Sequence, residues 1–242
     1  STNNSTFTFT GAVNTGAVTV PVAVGSGSDW NLVGNPYPSA ISVSDFLTAN
    51  SSNLTTSAVY VWSDDGTSGS GYTESDYITI NSSGSTGAVN GSNITNGNIA
   101  STQGFFVQGT GSGGNITFTN SMRTTGNDQF RSSQSLPRFW LSLNDNRISS
   151  QMLIAFPGGA TDEFEKMYDA PRFYGQNHLN ISSQLPADST AMVIQGMEMI
   201  GADTNKEINL LVEVDTLKQV SFNLDSIELI DEDINIYLKD QQ

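Results

Sequence analysis

Short runs of β-branched and aromatic residues, each bounded by clusters of Gly, Asn, Ser and Thr, recur along the whole of this 242-residue chain. That punctuation suits many strands of modest length and leaves little room for helices. In the first half the runs are Phe7 to Thr10, Val18 to Val24, Ala58 to Trp62, Tyr77 to Ile80, Gly104 to Gln108 and Asn115 to Thr119. In the second they are Arg138 to Leu143, Gln151 to Phe156, Ala191 to Gln195, Glu207 to Val214, Gln219 to Leu224 and Ile234 to Leu238. Two stretches suggest a helical turn: Ser44 to Thr48, with Ser44 or Asp45 as the cap, and Thr161 to Tyr168, with acidic residues early. The expectation is an all-β chain.

A length of 242 residues accommodates two domains with cores of their own. The first 131 residues hold two basic and seven acidic side chains, the remainder seven and seventeen. The shift falls near Asn127 to Pro137, where Ser132-Ser133-Gln134-Ser135 reads as a connector. We therefore expect two consecutive β-sandwiches, 1–131 and 137–242, the second jelly-roll-like and acidic.

Only 14% of residues are charged, against about 25% in ordinary domains, and the net charge is −15. Such a balance disfavours a grip on phosphate backbones or anionic membranes, so no nucleic-acid partner is expected. There is no cysteine, hence no disulfide and no thiolate chemistry. No apolar run reaches the roughly 18 residues of a membrane helix, and membrane insertion is not expected. The opening Ser1-Thr2-Asn3-Asn4 is unlike a signal peptide, which suggests an internal piece of a longer protein.

The run Trp30-Asn31-Leu32-Val33-Gly34-Asn35-Pro36-Tyr37-Pro38-Ser39-Ala40-Ile41 combines a strand with a stiff turn, because each proline biases the residue before it away from helix. Trp30, Leu32 and Ile41 are its expected apolar anchors. After it come Gln103 to Gln108, Ile116 to Phe118, Asn120 to Arg123, Arg138 to Leu141, Leu153 to Phe156, Gly159 to Asp162, Tyr168 to Ala170 and Ile236 to Asp240. In that order these motifs resemble the region preceding the C-terminal sorting domain of type IX secretion cargo proteins of Bacteroidota. The resemblance implies a secreted, cell-surface, adhesin-like protein. It further implies a sorting domain, absent from residues 1–242, that engages the type IX export and surface-attachment machinery.

Little in the chain points to catalysis. His178, the sole histidine, sits in a loop with no second histidine or Ser-centred elbow, which excludes the common zinc patterns. Gly109 to Gly114 matches G-x-G-x-x-G, but lies between two expected strands with no helix after it and reads as a hairpin loop. Chance pairs among 24 carboxylates are too common to define a glycosidase.

Three weaker site readings remain. Asp64 and Asp65, opening the Gly-rich run to Gly71, offer hard oxygen ligands for calcium without the spacing of an EF-hand. Asp231-Glu232-Asp233 offers a second acidic turn. Trp62, Tyr72 and Tyr77 flank the Asp64 loop and would make a glycan platform if they share a face; Trp62 and Tyr77 pointing inward is the competing arrangement. Trp30, Trp140, Phe105 and Phe106 are expected in the core. N-x-Ser/Thr triplets such as Asn53-Leu54-Thr55 are frequent by composition. Asp188-Ser189-Thr190, Asp215-Thr216-Leu217 and Asp225-Ser226-Ile227 resemble Bacteroidota O-glycosylation sites, at Ser189, Thr216 and Ser226.

The expected function is a non-catalytic stalk, filament or adhesion segment, partnered by other surface modules, glycans or copies of itself through edge strands. The alternative is a carbohydrate-binding accessory module of a secreted polysaccharide-degrading enzyme.

Overall fold

In Ala58-Val59-Tyr60-Val61-Trp62 apolar side chains occupy every position, so the strand needs apolar cover on both faces. It has both. The computed structural model describes residues 8, 10–25, 29–62, 77–87, 97–111, 113–125, 136–145, 148–173, 179–199, 201, 205–216 and 219–240. Its elements are β1 (Val18–Val22), β2 (Trp30–Gly34), β3 (Ile41–Ser42), α1 (Val43–Asn50), β4 (Val59–Trp62), β5 (Tyr77–Asn81), β6 (Gly84–Ser85), β7 (Asn98–Ile99), β8 (Gly104–Gln108) and β9 (Gly114–Phe118). They continue as β10 (Arg138–Asn144), β11 (Ser149–Ala155), β12 (Ala170–Pro171), β13 (Leu179–Gln184), β14 (Ala191–Gly196), β15 (Leu210–Val214) and β16 (Ser221–Glu228). The fold is all-β and sandwich-like.

The first half packs a five-stranded sheet, order β2-β8-β4-β5-β6, against the pairs β1-β9 and β3-β7 and the helix α1. Val33, Val59, Val61, Ile78, Ile80, Phe105 and Val107 from the sheet meet Val22, Ile116, Phe118, Ile41, Ile99, Phe46 and Leu47 in one core. Alternation along each strand sends Val59 and Val61 into that core, and Ala58 and Tyr60 out of the opposite face. Helix α1 starts at Ser42, whose hydroxyl accepts from Asp45 N at 3.2 Å. The cap is thus two residues earlier than Ser44, because Ile41 is tied into the β3-β7 pair and the first free hydroxyl follows it.

The second half is one curled sheet, order β15-β13-β14-β11-β10-β16, with β12 beside β14. Its inner face gathers Phe139, Leu143, Met152, Ile154, Leu179 and Ile181 into a second core. A third apolar cluster draws on both halves: Ala58, Tyr60, Trp30, Tyr77 and Phe106 against Leu153, Ala170, Val193, Ile194, Trp140 and Phe173.

Several expectations change on this framework. Leu32 is 67% exposed, and Val33 takes its place in the core. Trp30, Phe106 and Trp140 lie between the halves rather than inside either one. Residues 161–168 form turns, not helix. Gly109 to Gly114 is no hairpin loop: it carries the chain from β8 to β9, which belong to different sheets. A Cβ on Gly109 would come within 2.3 Å of Val22 Cγ1, so close approach of this crossing explains the glycine. Among the described residues, Ile234 to Leu238 joins no ladder. The expected connector, Ser132 to Ser135, lies outside the described residues.

Candidate functional site at the junction of the two halves

The turn 165–169 presents three consecutive main-chain carbonyls to the first half. Ser57 N donates to Lys166 O at 3.0 Å, Ser82 Oγ donates to Met167 O, and Tyr168 O accepts from Asn81 Nδ2 at 2.9 Å and Ser83 Oγ at 2.8 Å. Lys166 Nζ also reaches Ser51 O, and partial burial lowers its pKa. Three donors of this set come from the β5-β6 turn, whose Asn81 Oδ1 accepts from Ser83 N at 2.8 Å and holds the turn in shape.

Asp169 anchors the same turn from behind. Its side chain is buried, and its two oxygens accept from Glu165 N at 2.6 Å and Gly196 N at 2.7 Å. Desolvation pushes its pKa up to about 6, opposed by those two N–H groups and reinforced by the nearby Glu165 carboxylate. Gly196 is required to be small: a Cβ there would lie 2.4 Å from Tyr168 Cβ.

Around this hook the apolar cluster is cross-bonded. Tyr60 Oη donates to Pro171 O at 2.8 Å, and burial raises its pKa. Trp140 Nε1 donates to Ser85 O at 2.8 Å, and Gly87 N donates to Gln151 Oε1 at 2.6 Å. The Arg138 guanidinium lies 4.9 Å from the Trp140 ring centroid, donates to Ser83 O at 3.1 Å and pairs with Glu228 at 2.8 Å. Trp30, Tyr60, Tyr77 and Phe106 all pack around Phe173, with centroids 4.6 to 5.8 Å away.

Of the expected glycan residues, Trp62 and Tyr77 face each other across the β4-β5 ladder, centroids 5.0 Å apart at 80°. Trp62 is 40% exposed, while Tyr77 is half-buried against Phe173. The two rings are therefore neighbours at right angles, not one flat platform. Tyr72, Asp64, Asp65 and His178 lie outside the described residues.

Ser189 occupies an exposed turn at φ 59°, where Asp188 Oδ1 accepts from Thr190 N at 2.9 Å, and the bonds from Thr190 lower the Asp188 pKa. Thr216 is exposed after β15, and its hydroxyl donates to Asp215 Oδ1 at 3.3 Å. Ser226 is exposed on β16 opposite Trp140. In the 231–233 turn Asp233 N donates to Asp231 Oδ1 at 3.1 Å. Among the described residues, no three His, Cys, Asp or Glu side chains gather as metal ligands.

Sequence reasoning missed Asp169, the carbonyls of 166–168 and the Asn81-Ser82-Ser83 turn. Their one legible signal is Asn-Ser-Ser-Gly at 81–84, a turn sequence directly after a strand; nothing in it shows that the turn grips another segment.

The molecule is thus an all-β chain whose halves are joined by a buried, main-chain-bonded junction. All 242 residues match the family model described as "Domain of unknown function (DUF8693)", and the chain belongs to that family. No curated protein and no solved structure matches it.

Proposed function

We propose that this chain is a non-catalytic structural or adhesive segment of a secreted cell-surface protein exported by the type IX route. The observation that carries the reading is the junction: three carbonyls, two indole or phenol donors and a shared aromatic cluster join the halves. A stalk needs such a junction, since interfaces between freely hinged domains are small and polar. The motif order from Trp30 to Asp240 supports the location.

The test is protease shaving of intact cells of the producing bacterium, with and without a working type IX channel, together with attachment assays on a strain lacking residues 1–242. Peptides of this segment released only from export-competent cells, with attachment lost in the deletion, support the proposal. Peptides found only after lysis overturn the location, and unaltered attachment overturns the role.

A second reading, glycan binding, draws on the partly exposed Trp62 ring at the end of β4. Binding on a polysaccharide array that is abolished by Trp62→Ala supports it; a blank array removes it.

A further inference from the structure

The turn Asn35-Pro36-Tyr37-Pro38 is fixed from inside. Asn35 is buried: its Nδ2 donates to Ser39 O at 2.8 Å and Ala100 O at 3.0 Å, and its Oδ1 accepts from Tyr37 N at 3.0 Å. Tyr37 is buried too, and its Oη donates to Gly16 O at 2.5 Å. The chain then enters β3, where Ile41 bridges Arg123 and Ala40 O accepts from Thr124 N at 2.9 Å. Two segments distant in sequence are thereby held side by side. They line an open groove of about 600 Å³ with Pro38, Ser39, Asn120, Arg123, Thr124 and Thr125, a volume within the range of small-ligand sites.

Arg123 is exposed on this wall, and its guanidinium rests on two neutral groups. Nε donates to Ser39 Oγ at 3.0 Å, and Cζ stands 5.5 Å from the centroid of the Tyr37 ring. Both Nη groups are without a partner among the described residues. The other described cations are placed differently. Arg138, Lys206 and Lys239 each pair with a carboxylate, while Lys166 is half-buried and Arg172 buried, both donating to main-chain carbonyls. In a chain with 24 acidic and nine basic side chains, an exposed arginine with no carboxylate beside it is the feature that calls for a ligand.

We propose that this groove binds an acidic sugar, a ring bearing one carboxylate at a chain end or among neutral sugars. The two Nη groups form the outer edge of a planar fork that matches both oxygens of a carboxylate. Because Tyr37 and Ser39 already hold the guanidinium in place, little ordering is left to pay on binding. The hydroxyls of Ser39, Thr124 and Thr125 suit a polyol. Thr124 Oγ1 is shielded from water with no partner among the described residues, a cost that a polar ligand can offset.

Charge and backbone narrow the class. One cation balances one carboxylate, and a net charge of −15 opposes a polyanion. A peptide added as a strand needs unpaired main-chain groups. Here Arg123 N donates to Asn120 O at 3.2 Å and Thr124 N to Ala40 O, so those donors are taken. The site is built on β3 and residues 120–125, not on β4, where Trp62 stands, and it does not depend on the cell-surface reading.

The test is isothermal titration calorimetry of the full chain with two acidic sugars of different shape, sialyllactose and methyl glucuronide. Their carboxyl methyl esters and an end-blocked peptide with a single glutamate serve as comparisons. At least one acidic sugar should bind with a Kd below about 1 mM, and its ester at least about tenfold more weakly. Arg123→Gln should weaken binding at least about tenfold, and so, independently, should Thr125→Glu, which sets a competing carboxylate in the groove. Both positions are exposed, and circular dichroism of each variant should stay that of the parent. Arg123→Lys, which keeps the charge and loses the fork, should restore only part of the affinity. Equal binding of acid and ester would overturn the role of the carboxylate, and binding indifferent to both variants would place the ligand elsewhere. No binding of either sugar at about 1 mM, or preference for the peptide, would overturn the ligand class. Any of these leaves the cell-surface reading standing.

Discussion

Asp169 Oδ1 accepts the Gly196 amide at 2.7 Å while its other oxygen accepts from Glu165 N, so one buried carboxylate fixes both the end of β14 and the turn that grips the first half. Because its pKa is raised from 3.8 to about 6, the folded state holds a proton there more tightly than the unfolded chain does. Stability from this group is therefore fully present below about pH 4 and is lost as pH rises through about 6. The two-unit rise corresponds to roughly 3 kcal/mol. Urea titrations at closely spaced pH should show the wild type losing stability relative to Asp169→Asn across this window. Parallel curves for the two proteins would refute the assignment.

The halves share one cluster, and we expect them to unfold as one unit. Tyr60→Phe leaves Pro171 O without its donor and should cost about 1 kcal/mol in a single transition. Tyr60→Ala empties the middle of the cluster, with an expected cost of about 3 to 5 kcal/mol, and should split the transition in two. Differential scanning calorimetry distinguishes the cases; one sharp peak for Tyr60→Ala would show that the halves do not rely on this side chain.

Gly196→Ala tests the hook sterically. The new methyl would meet Tyr168 Cβ, a point fixed by the backbone, and the turn must move. A loss of about 1 to 3 kcal/mol is expected, together with faster exchange of the Ser57 amide, whose acceptor is Lys166 O. Unchanged exchange at Ser57 would separate Gly196 from the junction.

Gln195 runs in the opposite direction. Its amide is fully buried on β14 with neither Oε1 nor Nε2 hydrogen-bonded among the described residues. Gln195→Met keeps the length and removes the desolvated dipole, so the melting free energy should rise by about 1 to 2 kcal/mol. A destabilised variant would indicate that the amide is satisfied in solution.

The strands were legible wherever local pattern and tertiary cover agree. Ala58 to Trp62 and Gly104 to Gln108 read as β from composition and proved to be central strands of the five-stranded sheet. What the pattern cannot carry is which core each face meets. Phe105 and Phe106 are alike in sequence, yet one faces the first core and the other the junction. Ile234 to Leu238 has the alternation of a strand and no ladder, because pairing requires a partner edge that local sequence does not encode. The junction was illegible for a similar reason: its acceptors are largely main-chain carbonyls, common to every residue, and Asp169 is one carboxylate among 24. Of the glycan residues, adjacency of Trp62 and Tyr77 follows from the pairing of β4 with β5, but Tyr77 packs against Phe173, nearly one hundred positions away.

The grip on the first half is exerted largely by carbonyl oxygens, with Lys166 Nζ adding a bond to Ser51 O, so the side chain of Met167 is left free of that duty. Met167 and the neighbouring Phe164 point to solvent. This outward surface can therefore change without loosening the junction beneath it. The constraint on change falls instead on the receiving side, where Asn81, Ser82 and Ser83 must keep their polar side chains.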